Sequence, residues 1–246
     1  MSLLLFLGIQ VLGATVHRGL LARCGGGWFL HVLRLPGNFL HEASHALAFL
    51  LTGYTVRGFS VSLVDPAGRG HVQAGAPWFP WTRPWIAGLI SPVAPAVVGL
   101  GVLAWLHAAL APGEVSLGAT SAWLPPLGRF EAGPGPWIIL AVTTPIVAEA
   151  SPSDVDLRIW RGPALVVGAL LVVLWAAGHW AWPPLGHALA DAWRALDHAT
   201  TPHLARALVL ASWGAVAWVG PAWAIGALRS RWAARAAPAT RARGRR

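Results

Sequence analysis

The sequence predicts an all-α membrane protein with about six transmembrane helices and one short β-hairpin. Hydrophobic residues make up 56% of the 246 residues and charged residues 11%, a balance typical of a chain whose solvent is the lipid bilayer. Long apolar segments recur at lengths that approach or exceed the roughly 17 to 25 residues needed to cross a bilayer. After the second segment, alternating apolar residues replace the helical pattern, which indicates strands.

The apolar segments divide the chain into a single polytopic membrane domain, residues 1–228, with its functional core at about 28–182. The predicted spans are Leu3 to Val16, Trp28 to Thr52, Trp85 to Leu110, Trp137 to Ala148, Ala164 to Trp182 and Leu204 to Leu228. Between the last two, residues 185–199 place apolar side chains on one face, which predicts a helix lying on the outer surface. Residues 229–246 form a basic cytoplasmic tail that we expect to be disordered.

The distribution of arginine predicts the orientation in the membrane. The net charge is +9, and seven of the eighteen arginines lie in the tail after residue 228. With six spans, the loops 54–84 and 151–163 lie on the same side as the tail, so the positive-inside rule places both termini in the cytoplasm. We therefore expect a multi-pass protein of a bacterial cytoplasmic membrane. Its basic charge would contact anionic lipid rather than nucleic acid.

A β-hairpin is predicted between the second and third spans. Residues 54–74 alternate apolar with polar or small side chains, and the sequence PAGRG at 66–70 is typical of a turn. Gly58 is expected to accommodate a one-residue bulge. Such a hairpin is either a strand edge that pairs with an extended substrate segment or a loop at the membrane surface with some β structure.

The most informative segment is LPGNFLHEASHALAFLLTG at residues 35–53, which carries the pattern HExxH. His41 and His45 fall on one helix face, close enough to bind one zinc ion, and Glu42 is placed to act as a general base on water. A charged side chain within an apolar span costs roughly 2.5 to 3.5 kcal/mol. A bound metal would explain why these polar residues occur in an apolar segment. We expect Pro36 to break or restart the helix before the motif and Gly53 to end it.

A third ligand must come from another segment, and the best candidate is EASPSDVDL at residues 149–157. The second and fourth spans run in the same direction, so the end of the fourth span lies on the same side as the second half of the motif helix. Asp154 or Asp156 could therefore reach the histidines. Glu149 is a weaker candidate that could support a ligand from behind.

The choice between the two aspartates depends on which serine caps the following helix. With Ser151 as the N-cap, Asp154 takes the capping-box position and Asp156 is left for the metal. With Ser153 as the N-cap, these roles are reversed. We favour Asp156 as the third ligand because proline suits the first helical position after Ser151, and we keep Asp154 as the alternative.

Four segments together resemble the site-2 protease class of intramembrane zinc metalloproteases. They are PGNFLHEASHALAFLLTGYTVRGFSV at 36–61, GHV at 70–72, SPVAP at 91–95 and SPSDVDL at 151–157. The resemblance implies that His41 and His45 are zinc ligands and that Glu42 is the general base. It also implies that an aspartate of the last segment, Asp156 or Asp154, completes the site.

The resemblance covers roughly Pro36 to Leu157 and implies an endopeptidase with Zn²⁺ as cofactor, acting on membrane-associated protein or peptide substrates within the lipid bilayer. The sequence departs from the better-known second motif of that class, because neither aspartate is followed by glycine. Two other interpretations stay open. One is a non-proteolytic zinc-binding membrane scaffold of the same architecture. The other is a histidine-ligated haem carrier or small transporter, which requires facing histidines on different helices.

Overall fold

The computed structural model describes residues 1–24, 28–61, 70–79, 84–113, 115–119, 125 and 133–236. The helices are α1 Ser2–Cys24, α2 Trp28–Leu51, α3 Pro84–Ile90, α4 Ala94–Leu110, α5 Gly135–Glu149, α6 Asp154–Ala176 and α7 Pro183–Ala236. The strands are β1 Tyr54–Ser60 and β2 His71–Pro77. The described chain is thus mostly helical with one two-stranded sheet, and the predicted apolar segments fall in helices except at the end residues Thr52 and Trp182.

Two helical stretches are long and apolar enough to cross a membrane. The first is Pro84–Leu110, in which a 3₁₀ turn at Ser91–Val93 joins α3 to α4, and the second is Val155–Trp180 in α6 and the π-turn after it. The apolar helices Ser2–Val16 and Gly135–Glu149 are shorter. Within the described ranges, length and composition therefore support two spans rather than the predicted six.

The core of the helical bundle is formed by α1, α4, α5 and α7. Its most deeply buried apolar side chains are Ile9, Leu103, Val147, Val209 and Leu210. Small residues bring the backbones together at several crossings, because glycine has no side chain to separate two helices. Gly13 lies against the carbonyl of Val147, and Gly99 lies against Ala150.

Helix α2, which carries the HExxH pattern, packs on α5. Its Gly37 approaches the carbonyl of Pro145 so closely that a Cβ atom there would lie 2.1 Å from the carbonyl oxygen. The predicted break at Pro36 is wrong, because α2 runs through Pro36 as one helix from Trp28 to Leu51. Gly53 has a φ of 84°, and this left-handed conformation ends the helix as predicted.

The last helix, α7, is longer than the sequence predicts. It continues through Pro202 and Pro221, so it joins the segment 185–199 to the last predicted span. It also includes residues 229–236, so the structure differs from the predicted disordered tail over this part. The remaining tail, residues 237–246, lies outside the described residues.

The start of α1 contacts the first part of α7. Asp197 Oδ1 accepts hydrogen bonds from the Ser2 hydroxyl (2.6 Å) and from the Ser2 backbone N–H (2.8 Å). These two bonds hold the pKa of Asp197 at about 2, so the carboxylate is ionised at any physiological pH. The sequence predicts Ser2 on the cytoplasmic side and residues 185–199 on the outer side. Because the two segments touch, both placements cannot hold together.

The predicted hairpin is present as an antiparallel pair of β1 and β2. Ser60 pairs with His71 and Tyr54 pairs with Pro77 at the two ends of the ladder. The register shifts between Val56 and Gly58, which confirms the predicted bulge at this position. The turn predicted at residues 66–70 lies almost entirely outside the described residues, and only Gly70 is seen.

We expect Gly37→Ala to destabilise the protein by about 1–3 kcal/mol, because the added methyl group forces α2 away from the backbone of α5. The measurement is thermal unfolding of purified protein in detergent. The control is Gly101→Ala on α4, where the new Cβ meets nothing within 4 Å. Equal unfolding temperatures for the two variants would contradict this description of the α2–α5 contact.

Candidate metal centre

Three side chains from two helices converge at one point. His41 and His45 come from α2, and Asp156 comes from the first turn of α6. The two Nε2 atoms are 3.1 Å apart, His41 Nε2 lies 3.5 Å from Asp156 Oδ2, and His45 Nε2 lies 3.3 Å from Asp156 Oδ1. The predicted residues His41, His45 and Asp156 are therefore brought together, and the cluster could hold a metal ion.

The spacing of these donor atoms fits a four-coordinate metal. Metal–ligand bonds of about 2.0–2.1 Å in a tetrahedral site place neighbouring donor atoms about 3.3–3.4 Å apart. The distances between the two Nε2 atoms (3.1 Å) and from each Nε2 to the Asp156 oxygen facing it (3.3 Å to Oδ1 and 3.5 Å to Oδ2) are close to this value. Two imidazoles and one carboxylate occupy three tetrahedral positions, so a fourth position is left for water or substrate.

Backbone carbonyl groups set the orientation of both imidazoles. His41 Nδ1 donates to the carbonyl of Glu149 at 2.7 Å, and His45 Nδ1 donates to the carbonyl of Ser91 at 2.9 Å. A carbonyl oxygen can only accept, so each Nδ1 carries the ring proton. In the neutral imidazole, Nε2 is then an acceptor whose lone pair faces the other two groups.

Helix ends make these two carbonyls available. Glu149 is the last residue of α5, and carbonyl groups in the last turn of a helix have no partner within it. Ser91 begins the 3₁₀ turn between α3 and α4, and the residue four positions later is Pro95, which has no N–H to donate to it. The Ser91 carbonyl therefore takes the N–H of Ala94 on one side and His45 on the other.

The convergence of two lone pairs and a carboxylate requires a positive charge between them. Without one, the Nε2 atoms of His41 and His45 would repel each other at 3.1 Å, and Asp156 would repel both. A proton on one ring or a bound cation relieves this repulsion. A cation contacts all three groups at once, whereas a proton can bridge only two.

Asp156 has a second, structural role. The N-cap of α6 is Ser153, whose hydroxyl accepts the N–H of Asp156 at 3.2 Å, while Asp156 Oδ2 accepts the N–H of Ser153 at 2.7 Å. The predicted cap, Ser151, is therefore wrong, although the residue chosen as third ligand does face the histidines. Asp154 is the first residue of α6, and the position of its side chain lies outside what the structure describes.

Glu42 lies beside the cluster without joining it. Its half-buried side chain is covered by the backbone of Gly70, the residue before β2. A Cβ atom at Gly70 would lie 2.4 Å from Glu42 Cγ and 2.8 Å from its carboxylate carbon, so only glycine leaves the carboxylate room in this position. The hairpin thus forms one wall of the site, a role that its alternating pattern alone did not predict.

Several site groups escaped the sequence interpretation. Ser91 was given no role beyond the third predicted span and the segment SPVAP, and Gly70 none beyond the predicted turn and the segment GHV. In the structure, Ser91 contacts His45 and Gly70 contacts Glu42. The spacing of Pro95 four residues after Ser91 is the signal that could have revealed a carbonyl with no N–H donor four residues later. Glu149 does support His41 as predicted, but through its backbone carbonyl.

Two further histidines, His107 and His179, contact aromatic rings and do not belong to the cluster. His107 is buried in α4 beside the ring of Trp213, with 5.2 Å between ring centroids. His179 stacks on Trp175 near the end of α6. Among the described residues, one group of three or more His, Cys, Asp or Glu side chains is close enough to share a metal ion, and it consists of His41, His45 and Asp156.

Substitutions at Asp156 should separate its two roles. Asp156→Asn keeps an oxygen that can accept the N–H of Ser153, so we expect α6 to stay capped while metal binding is lost. Asp156→Ala should lose the metal and also about 0.3–1.5 kcal/mol of stability. Metal analysis and thermal unfolding of the purified variants measure these effects, with the exposed His187→Ala as a control that keeps the metal. Full metal content in Asp156→Asn would exclude Asp156 as a ligand.

Comparison of the chain with protein-family models, with curated proteins and with solved structures finds no match.

Proposed function

We propose that the protein is an intramembrane zinc metalloprotease that hydrolyses peptide bonds of membrane-associated protein substrates. The observation that carries the proposal is the convergence of His41 Nε2, His45 Nε2 and the Asp156 carboxylate, with both Nδ1 atoms tied to backbone carbonyls. Glu42 follows the first of these ligands directly in the chain. Two nitrogen donors, one oxygen donor and an adjacent carboxylate are the parts that a zinc peptidase needs.

Zinc suits the donor set because it accepts imidazole and carboxylate ligands in a tetrahedral arrangement. A bound zinc ion would polarise a substrate carbonyl and make water acidic enough to attack at neutral pH. His41, His45 and Asp156 would hold the ion, and the Glu149 and Ser91 carbonyls would keep both rings turned towards it.

Glu42 has the position expected of a general base. It lies on the same helix as both histidines, and its half-buried carboxylate is held from one side by Gly70. It would accept a proton from the attacking water and deliver that proton to the nitrogen of the leaving amine.

The two helices long enough to span a membrane both contribute to the site. Ser91 lies in the stretch Pro84–Leu110, and Asp156 is the second residue of Val155–Trp180. If both stretches cross the membrane, a site at the start of one span and about a quarter of the way along the other would lie between one membrane face and the midplane. Water can reach such a depth through a polar opening, which peptide hydrolysis requires.

The hairpin provides a means of holding substrate. Peptide bonds in a helix are shielded by their own side chains and hydrogen bonds, so a substrate helix must unwind before it is cut. Strand β2 begins at His71, immediately after Gly70 covers Glu42, so this strand leads away from the proposed general base. An unwound substrate segment that paired with the edge of the hairpin would be extended beside Glu42.

Glu42→Gln should separate a protease from a zinc-binding scaffold of the same architecture. Glu42 is not among the three clustered ligands, so we expect the variant to keep its zinc while cleavage of a co-reconstituted membrane substrate falls about 10²–10⁴-fold. The matched control is Asp191→Asn at an exposed position of α7. Cleavage that continues at the wild-type rate in Glu42→Gln would exclude the proposed mechanism, and zinc-free wild-type protein would exclude the proposal itself.

Gly70→Ala should displace the general base without disturbing the metal. The new methyl group would overlap Glu42 Cγ, and the flexible Glu42 side chain would have to turn away. We expect slower cleavage with unchanged zinc content and nearly unchanged unfolding temperature. Gly58→Ala on the partner strand is the control, because its Cβ meets Gln73 at an ordinary 3.6 Å. A Gly70→Ala variant as active as Gly58→Ala would show that this contact does not position Glu42.

A further inference from the structure

We propose that the ion pair between Arg34 and Glu149 is a positioning device for the metal centre. Arg34 Nε donates to Glu149 Oε1 at 2.5 Å, and the backbone carbonyl of the same glutamate accepts the Nδ1 proton of His41. Arg34 therefore acts on the metal ligand His41 through Glu149. This inference rests on the metal site of the proposed function and adds to it a residue outside the HExxH pattern.

The residues involved lie along one face of α2. Arg34, Gly37, His41 and His45 are spaced at three and four residues, which puts them in a single row along a helix. Each of the first three meets the C-terminal end of α5. Arg34 meets the Glu149 side chain, Gly37 lies beside Glu149 Cγ and the Pro145 carbonyl, and His41 meets the Glu149 carbonyl.

The end of α5 needs an attachment of this kind. The last carbonyl groups of a helix have no intrahelical partner, and helix ends fray. A carbonyl that moved by a fraction of an ångström would no longer fix the ring of His41 in the orientation that points Nε2 at Asp156. The Arg34 contact gives Glu149 a second attachment to α2, so the side chain and the backbone of one residue are both held by the same helix.

Stability alone does not account for an ion pair here. The side chains of Arg34 and Glu149 are only 23% and 13% exposed, so both charges are largely removed from water. Removing two charges from water costs about as much free energy as their attraction returns, and apolar replacements of similar size are often equally stable. A directional requirement accounts for it better, because the guanidinium group fixes the geometry of its partner.

The test is the dissociation constant for zinc, measured by competition with a chelator on purified full-length protein. We expect Arg34→Gln and Glu149→Gln to bind zinc about tenfold more weakly, the loss typical of groups that orient a metal ligand. The exchanged pair, Arg34→Glu with Glu149→Arg, should recover part of this affinity. The control is Arg194→Gln, which breaks an ion pair of the same length at an exposed position of α7 and should leave zinc affinity unchanged.

A further double variant keeps the test independent of folding. Arg34→Met with Glu149→Met removes both charges, so we expect it to unfold at nearly the wild-type temperature and still bind zinc about tenfold more weakly. Wild-type affinity in this variant, or an exchanged pair that recovers nothing, would overturn the positioning role while the proposed function stands. Wild-type protein that binds no zinc would overturn both.

Discussion

The candidate site depends on one constraint, namely that two imidazoles on the same helix must both turn Nε2 towards a common point. The carbonyls of Glu149 and Ser91 impose this by taking the Nδ1 protons of His41 and His45. Both carbonyls come from interruptions of helices, one at the end of α5 and one at the 3₁₀ turn before Pro95. The irregular parts of the fold therefore orient the ligands, and the regular helices bring those parts together.

The second requirement is that backbone segments approach each other closely, and glycine allows this at two positions. Gly37 lets α5 approach α2, so that the Glu149 carbonyl comes within reach of His41. Gly70 lets the hairpin approach Glu42. In the proposed membrane setting there would be little hydrophobic driving force between helices, so packing at small residues and a few polar contacts would have to hold them together. The ion pair between Arg34 and Glu149 is one of these polar contacts.

The sequence predicts the local part of this site well and the distant part less well. The spacing of His41 and His45 is sufficient to predict that they lie side by side, because a helix alone places residues four apart on one face. Asp156, the favoured aspartate, does face the histidines, but the cap used to choose it is wrong, because the choice assumed that a capping carboxylate could not also face them. The contacts of Ser91 and Gly70 depend on how separate elements pack, which no local pattern encodes. The continuation of α2 through Pro36 also depends on packing between elements, because tertiary contacts outweigh the backbone hydrogen bond that proline cannot donate.

The two contacts of Asp156 connect the candidate metal cluster to the start of α6. Many large apolar side chains of this helix are exposed, and an 18-residue apolar stretch within it has no residue buried inside the protein. Its first turn is fixed by the contact between Ser153 and Asp156, and the same carboxylate faces His41 and His45 on α2. A metal held by the three groups would join α6 to α2 at the point where the helix begins, because binding energy that requires a folded site adds to the stability of that site. The capping box then does more than start a helix, since it holds the carboxylate in the orientation that the two imidazoles require.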